Sequence, residues 1–366
     1  MKKIKIYILL ALLSIGMPLQ ALDLNTKDIS LSGHYLGLWN GFDTKKETQS
    51  HFDYATNFDV EFTFSETLTG MFQLQMSPGN GRLGFPGPQP SVTDLNLSYQ
   101  PTSKHYQLTM GSFDTPFGPF ENLSNNANTL ENEHIINDIF YSSLAGPVGT
   151  LNTLGLKADT SINNLDITLA LNNGTGESSI NNGNSYGTTL QIRNKTWIPR
   201  TEMGISGIKS NDKADAGEEN NNSFETDYSG ALIHFKTKLY SHTSFNGYAG
   251  SVRYNNTLPN QDDTITVLRF GTTYQLDTTK KFSLQWSSWQ PQHHSGSGKT
   301  SAVPNPGLSE VFSSNTNVTD SMIHRTQATL SLKLDTHIWM KTGYINDNYE
   351  HGPNTHALIT SINGAF

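Results

Sequence analysis

The sequence predicts an all-β chain: a closed antiparallel transmembrane β-barrel of about 16 strands, with short turns at one end and long loops at the other. Three observations predict it. Apolar residues recur at every second position, as in Asn57 to Phe64, where Phe58, Val60, Phe62 and Phe64 alternate with Asn57, Asp59, Glu61 and Thr63. The connections between such runs alternate between short and long. After residue 21 no apolar stretch is long enough for a membrane-spanning helix, and the mean hydropathy of -0.46 suits strands that meet lipid only with alternate residues.

The chain has 366 residues, 15% of them charged, and no cysteine. Disulfide frameworks, Cys-ligated zinc, iron-sulfur clusters and thiol nucleophiles are therefore excluded. A formal charge of -8 without basic runs argues against nucleic acid, whose phosphates require clustered Lys and Arg.

At the N-terminus Lys2, Lys3 and Lys5 precede the apolar run Ile8 to Leu13, and the stretch ends in Leu19-Gln20-Ala21. This pattern predicts a secretory signal over 1–21, too short to span a membrane and followed by Asp23, Asn25 and Lys27. Its removal takes three lysines and moves the charge from -8 to -11. Residues 22–366 then form the barrel.

The candidate strands follow in order, near 28–40, 53–64, 69–77, 92–100, 105–113, 149–160, 163–172, 185–196, 200–209, 227–239, 242–255, 264–277, 280–290, 321–335, 337–346 and 355–366. Alternation is clearest in Leu95, Leu97 and Tyr99; in Leu165, Ile167, Leu169 and Leu171; in Leu268, Phe270, Tyr274 and Leu276; and in Ala328, Leu330, Leu332 and Leu334. Even-numbered strands are followed by short turns such as Glu66 to Leu68, or Ser161 and Ile162. Odd-numbered strands, except the last, are followed by long polar connections such as Lys209 to Thr226 or Pro291 to Asp320. A soluble β-sandwich would also alternate, but strict short-long connections imply two unlike compartments, as in a barrel with periplasmic turns and external loops.

Sixteen strands leave a water-filled lumen rather than a packed core. The inward phase is accordingly polar, with Gln73, Gln75, Gln191, Gln285 and Gln327 among it, more amides than a dry core could pair. The same alternation places Arg193, Arg253, Arg269 and Arg325 mid-strand on the pore wall, since a charge facing lipid would cost about 2 to 4 kcal/mol at the midplane. Tyr35, Trp39, Tyr106, Tyr274, Trp286 and Tyr344 fall on the lipid phase as interfacial aromatics.

The longest loop, about 114–149, opens with Met110-Gly111-Ser112-Phe113-Asp114-Thr115-Pro116-Phe117-Gly118. The run from Gly111 to Gly118 resembles the Gly-x-x-x-Thr-Pro-Phe-Gly stretch that begins the third external loop of bacterial general porins. The last strand, with Leu358, Ile362 and the terminal Phe366 in one phase, is similar to the C-terminal strand of outer-membrane proteins. The resemblance implies an outer-membrane location, a third loop folded inward to narrow the pore, and a homotrimer. Gly33 and Gly37 on the lipid face of the first strand leave room for a neighbouring copy. Basic tracts of phosphate-selective porins and an aromatic slide of the maltoporin type are not found. The 114–149 loop carries Asp114, Glu121, Glu131, Glu133 and Asp138 and no Lys or Arg, so the constriction is expected to face basic wall residues across a transverse field.

The expected function is a channel for passive diffusion of small hydrophilic solutes and ions, set among outer-membrane lipid and lipopolysaccharide. The alternative is a barrel closed by its own loops that serves as a surface adhesin or structural protein. No cofactor is expected. His293-His294 lies in a polar Gly- and Pro-containing loop without further ligands at fixed spacing. Without a Gly-x-Ser-x-Gly elbow, a His-Glu-x-x-His pair or a phosphate loop, no enzyme is expected.

Overall fold

A computed structural model describes residues 29–43, 48–76, 91–102, 105–113, 115–118, 153–172, 186–195, 197–214, 224–256, 263–293, 322–350 and 354–365. The expected signal over 1–21 and the terminal Phe366 lie outside the described residues.

Sixteen strands follow one another: β1 Ile29–Asp43, β2 Thr48–Ser65, β3 Leu68–Met76, β4 Ser91–Tyr99, β5 Tyr106–Phe113, β6 Thr153–Ile162, β7 Leu165–Asn172, β8 Tyr186–Asn194, β9 Thr201–Ala214, β10 Phe224–Tyr240, β11 Thr243–Asn256, β12 Asp263–Gln275, β13 Lys280–His293, β14 Ile323–Asp335, β15 Ile338–Tyr349 and β16 Thr355–Ala365. Each pairs antiparallel with its neighbours in sequence, and β1 pairs with β16 from His34↔Ala365 to Asp43↔His356. The sheet is therefore a closed barrel without free edges. At the seam the Tyr35 ring covers Gly364, where an added Cβ would lie 2.0 Å from Tyr35 Cε1. Only a residue without a side chain admits that ring.

Side-chain alternation separates the two faces. Phe270, Tyr274, Leu330, Tyr344, Leu358 and Ile362 are exposed on one side, the outside, while Arg269, Gln285, Gln327, Thr329 and Ser361 are buried on the other. Tyr35, Trp39, Tyr106 and Trp286 are exposed on the same outer face, as the alternation predicts.

Three connections differ from the sequence expectation. The polar stretch between β1 and β2, expected as a loop over 41–52, continues the ladder to Asp43↔Thr48. Strand β9, expected to end at 209, pairs with β10 as far as Ala214↔Phe224. Backbone pairing satisfies its own polar groups whatever the side chains, so loss of apolar alternation did not mark the end of the sheet. The turn between β6 and β7 falls on Asn163-Asn164, with φ of 48° and 70°, two residues beyond the expected Ser161 and Ile162. Both positive angles suit a two-residue hairpin, and Asn tolerates them better than Ser or Ile. At another short turn Asp277 Oδ1 accepts the Thr279 hydroxyl and amide, each at 2.7 Å. The hydroxyl contributes most to holding that carboxyl below its ordinary pKa.

Strand length varies around the barrel. Strands β3 to β8 have 8 to 10 residues, close to the roughly 9 to 11 that cross a bilayer. Strands β9 to β14 have 13 to 17, more than that span requires. The outer face records the change: above Ile233 on β10 it carries Ala231 and Ser229, and above Phe270 and Leu268 on β12 it carries Thr266 and Thr264.

Candidate functional site on the inner wall

Inward residues in register form continuous rows around the barrel. One row runs Asp166, Arg193, Gly204, His234, Tyr248, Arg269, Ser287, Arg325, Asp347, from β7 to β15. It starts beside the short β6–β7 turn and ends near the long-loop end of β15. The strands are tilted to the barrel axis, so a row perpendicular to them climbs the wall.

This row concentrates charge. Arg325 and Asp347 form a two-pronged ion pair, Nε to Oδ1 and Nη2 to Oδ2, both at 2.7 Å. The Arg269 guanidinium sits 5.6 Å from the centre of the Tyr248 ring and is fully buried. At the lower end Lys195 pairs with Asp166 at 3.0 Å, and the Ser161 hydroxyl donates to the same carboxylate at 2.7 Å. His234 is 4% exposed, and neither ring nitrogen meets a hydrogen-bond partner among the described residues.

The next row up contains Gln191 and Ser206, and here the chain following β5 enters. Residues Thr115, Pro116, Phe117 and Gly118 are all buried, Phe117 completely. The Gly118 amide donates to Ser206 Oγ at 2.8 Å, and Gln191 Nε2 donates to the Gly118 carbonyl. Gly118 has φ of 97°, a conformation that glycine adopts without a Cβ clash. Neighbouring strands are roughly 4.8 Å apart, so reaching β8 and β9 from the end of β5 carries the chain roughly 15 Å around the inner wall. The segment turns inward instead of outward.

Beyond β9 the row of Gln191 and Ser206 turns apolar, with Leu232, Val267, Trp289 and Ile323 buried, and the row above it carries the buried Ile208, Val252 and Ile265. Toward the long-loop end of β9 to β14 the usual barrel polarity is exchanged: polar residues face out and apolar ones face in.

A cavity of about 530 Å³ opens at the short-turn end against β5 to β8, lined by Gln107, Lys157, Asp159, Asp166, Arg193 and Lys195 among others. Lys157 and Asp159 lie 3.7 Å apart within it.

Arg193, Arg269 and Arg325 thus stand on the inner wall, as the alternation predicts. Arg253 does not. It pairs with Ser229 and Thr264 and is exposed on the outer face, one row from the inward Val252. On β11 the bulky Tyr248 and Val252 point inward while Gly247, Ala249 and Ser251 point outward, so apolar size assigns the phase of this strand wrongly. Lys209 on β9 shares Arg253's outward row through Ser229. Both stand near the long-loop end of their strands, beyond the outward apolar Ile205 and Ile233. The acidic residues Asp114, Glu121, Glu131, Glu133 and Asp138 lie outside the described residues. Sequence reasoning missed Asp347 as the partner of Arg325 and missed the docking roles of Gln191 and Ser206. The inward phase of Asp347 was readable; its register opposite Arg325 was not.

Neither a family model nor a curated protein sequence matches the chain. Solved structures do. A loop-deleted form of OmpT, an outer membrane protein of Vibrio cholerae, superposes with a TM-score of 0.64 at 8% identity, covering 92% of this chain and 99% of that one. The outer membrane channel DcaP of Acinetobacter baumannii gives 0.63 at 11%, over 93% and 97%. The anion-selective porin of Comamonas acidovorans gives 0.60 at 9%, over 92% and 99%. The fold is that of bacterial outer-membrane barrels.

Proposed function

We propose that the chain resides in the bacterial outer membrane and forms a water-filled channel for passive diffusion of small hydrophilic solutes and ions. The observation that carries this reading is the docking of Gly118 on Ser206 and Gln191, because a segment held inside a sixteen-stranded barrel narrows a lumen otherwise wide enough to pass water freely. The polar inner rows support it, as does the fold shared with channels and porins. In this reading the segment 114–149 forms the constriction, and Asp114, Glu121, Glu131, Glu133 and Asp138 face the inward Arg193 and Arg269 across it. The chain performs no catalysis. Copies associate as trimers through the β1 face, where the outward Gly33 is buried; a trimer form of the Vibrio OmpT is among the similar structures. Lys209 and Arg253 are placed to meet lipopolysaccharide phosphates at the outer rim.

Swelling of liposomes containing the purified chain tests the proposal. Swelling in arabinose supports a channel, and tight liposomes with intact barrel circular dichroism contradict it. Neutralising Glu131 and Glu133 together should move the reversal potential toward anions; an unchanged potential overturns the acidic constriction. The buried apolar inner face of Val252, Ile265, Trp289 and Ile323 favours a second reading, a barrel closed by its loops that acts as an adhesin or structural protein. Tight liposomes would support that reading.

A further inference from the structure

Burial of inward side chains differs sharply between two sectors of the wall. On β16 the inward side chains whose burial is described, Thr355, Ala357, Ile359, Ser361 and Asn363, are 0–1% exposed. On β14 inward residues from Ile323 to Ser331 are buried, and on β15 those from Trp339 to Tyr349 are buried. Burial there extends from the long-loop end almost to the short turns. A wall bordering open water would show its Ser, Thr and Gln side chains to solvent. Against β5 to β8 the short-turn end of the wall does so: Ser161 and Lys195 are exposed, Gln107, Lys157, Asp159 and Arg193 are half-buried, and the cavity of about 530 Å³ lies before them, whereas Thr109, Thr168, Thr189 and Gln191 higher on the same strands are buried.

We infer that the solute path is eccentric at its short-turn end, opening there against β5 to β8 with Lys157, Asp159, Asp166, Arg193 and Lys195 setting selectivity, while the inner wall of β14 to β16 does not border it. The inference rests on the channel reading and deepens it. It separates two kinds of inward charge. Arg325 is neutralised by Asp347 in the sealed sector and holds the fold together, and Lys341, 1% exposed, also lies there. Lys195, 55% exposed, and Arg193 stand where an ion would pass. Charges lining a water-filled path act on permeant ions directly, and buried charges act only through the low-dielectric wall.

The chain contains no cysteine, so single substitutions report one position each. Ser161→Cys and Gln107→Cys are compared with Ser331→Cys and Ser361→Cys in the full chain, reconstituted in planar bilayers and treated with a charged, membrane-impermeant methanethiosulfonate. Thiol reactivity follows exposure, so the first pair should react at least about tenfold faster than the second. Modified Gln107→Cys should show a stepwise fall in conductance, and modified Ser361→Cys should show none. Equal rates in both sectors, or a conductance fall at Ser331→Cys or Ser361→Cys, overturn the inference. Lys195→Gln gives an independent reading: it should shift the reversal potential toward cation preference, and Lys341→Gln should leave it unchanged. The reverse order overturns the inference. Loss of all conductance in the unmodified chain would instead overturn the channel reading.

Discussion

The Gly118 amide donates to the Ser206 hydroxyl at 2.8 Å, linking a chain that has just left β5 to a strand four places around the barrel. Gln191 on β8 holds the carbonyl of the same residue. Both wall residues are 1% exposed, so these bonds are shielded from competing water.

Replacing Ser206 by Ala and Gln191 by Leu together removes both wall partners and leaves the Gly118 backbone groups unsatisfied. Each orphaned buried group costs about 1 to 3 kcal/mol. The inward segment should then detach, giving larger and noisier single-channel steps than the parent. Recordings that match the parent in amplitude and noise would show that these bonds do not fix the segment.

Arg325 and Asp347 are 4% and 0% exposed, and each prong of their pair measures 2.7 Å. Removing one partner strands a buried charge, at a cost of about 3 to 5 kcal/mol, whereas an apolar pair of similar volume can be nearly neutral. Asp347→Asn should therefore lower the temperature at which the folded, faster-migrating gel form is lost. The double variant Arg325→Met with Asp347→Leu should recover most of that loss. Equal damage from the single and double variants would contradict the account.

The Tyr35 ring over Gly364 joins the first and last strands. Gly364→Val should push the ring away and weaken closure, at a cost of about 1 to 3 kcal/mol as in other overpacked sites. Refolding from urea into detergent checks this through the yield of heat-modifiable monomer. Adding Tyr35→Ala to Gly364→Val should restore part of the yield, because it removes the clash. An unchanged yield for Gly364→Val alone would show that the seam tolerates the displacement.

The strand count was legible because a lipid-facing barrel imposes period two on every segment, and Phe58 to Phe64 or Ala328 to Leu334 show it without interruption. Strand β9 was hard to delimit because Gly204 and Gly207 dilute the pattern carried by Met203 and Ile205. Arg253 was misplaced because β11 carries its large residues Tyr248 and Val252 inward and the small Gly247, Ala249 and Ser251 outward. The docking of Gly118 on Ser206 was not legible at all. Such contacts depend on register and tilt across five strands, and local periodicity encodes neither. The burial of Ser361 and Thr355 depends in the same way on what lies across the lumen.

Stepwise conductance of the purified, folded chain in planar bilayers tests the central claim most directly. The account predicts discrete steps that scale with salt concentration and become larger when Ser206 and Gln191 release the inward segment. A chain that migrates as a folded barrel and inserts, yet passes no current in either form, would contradict it.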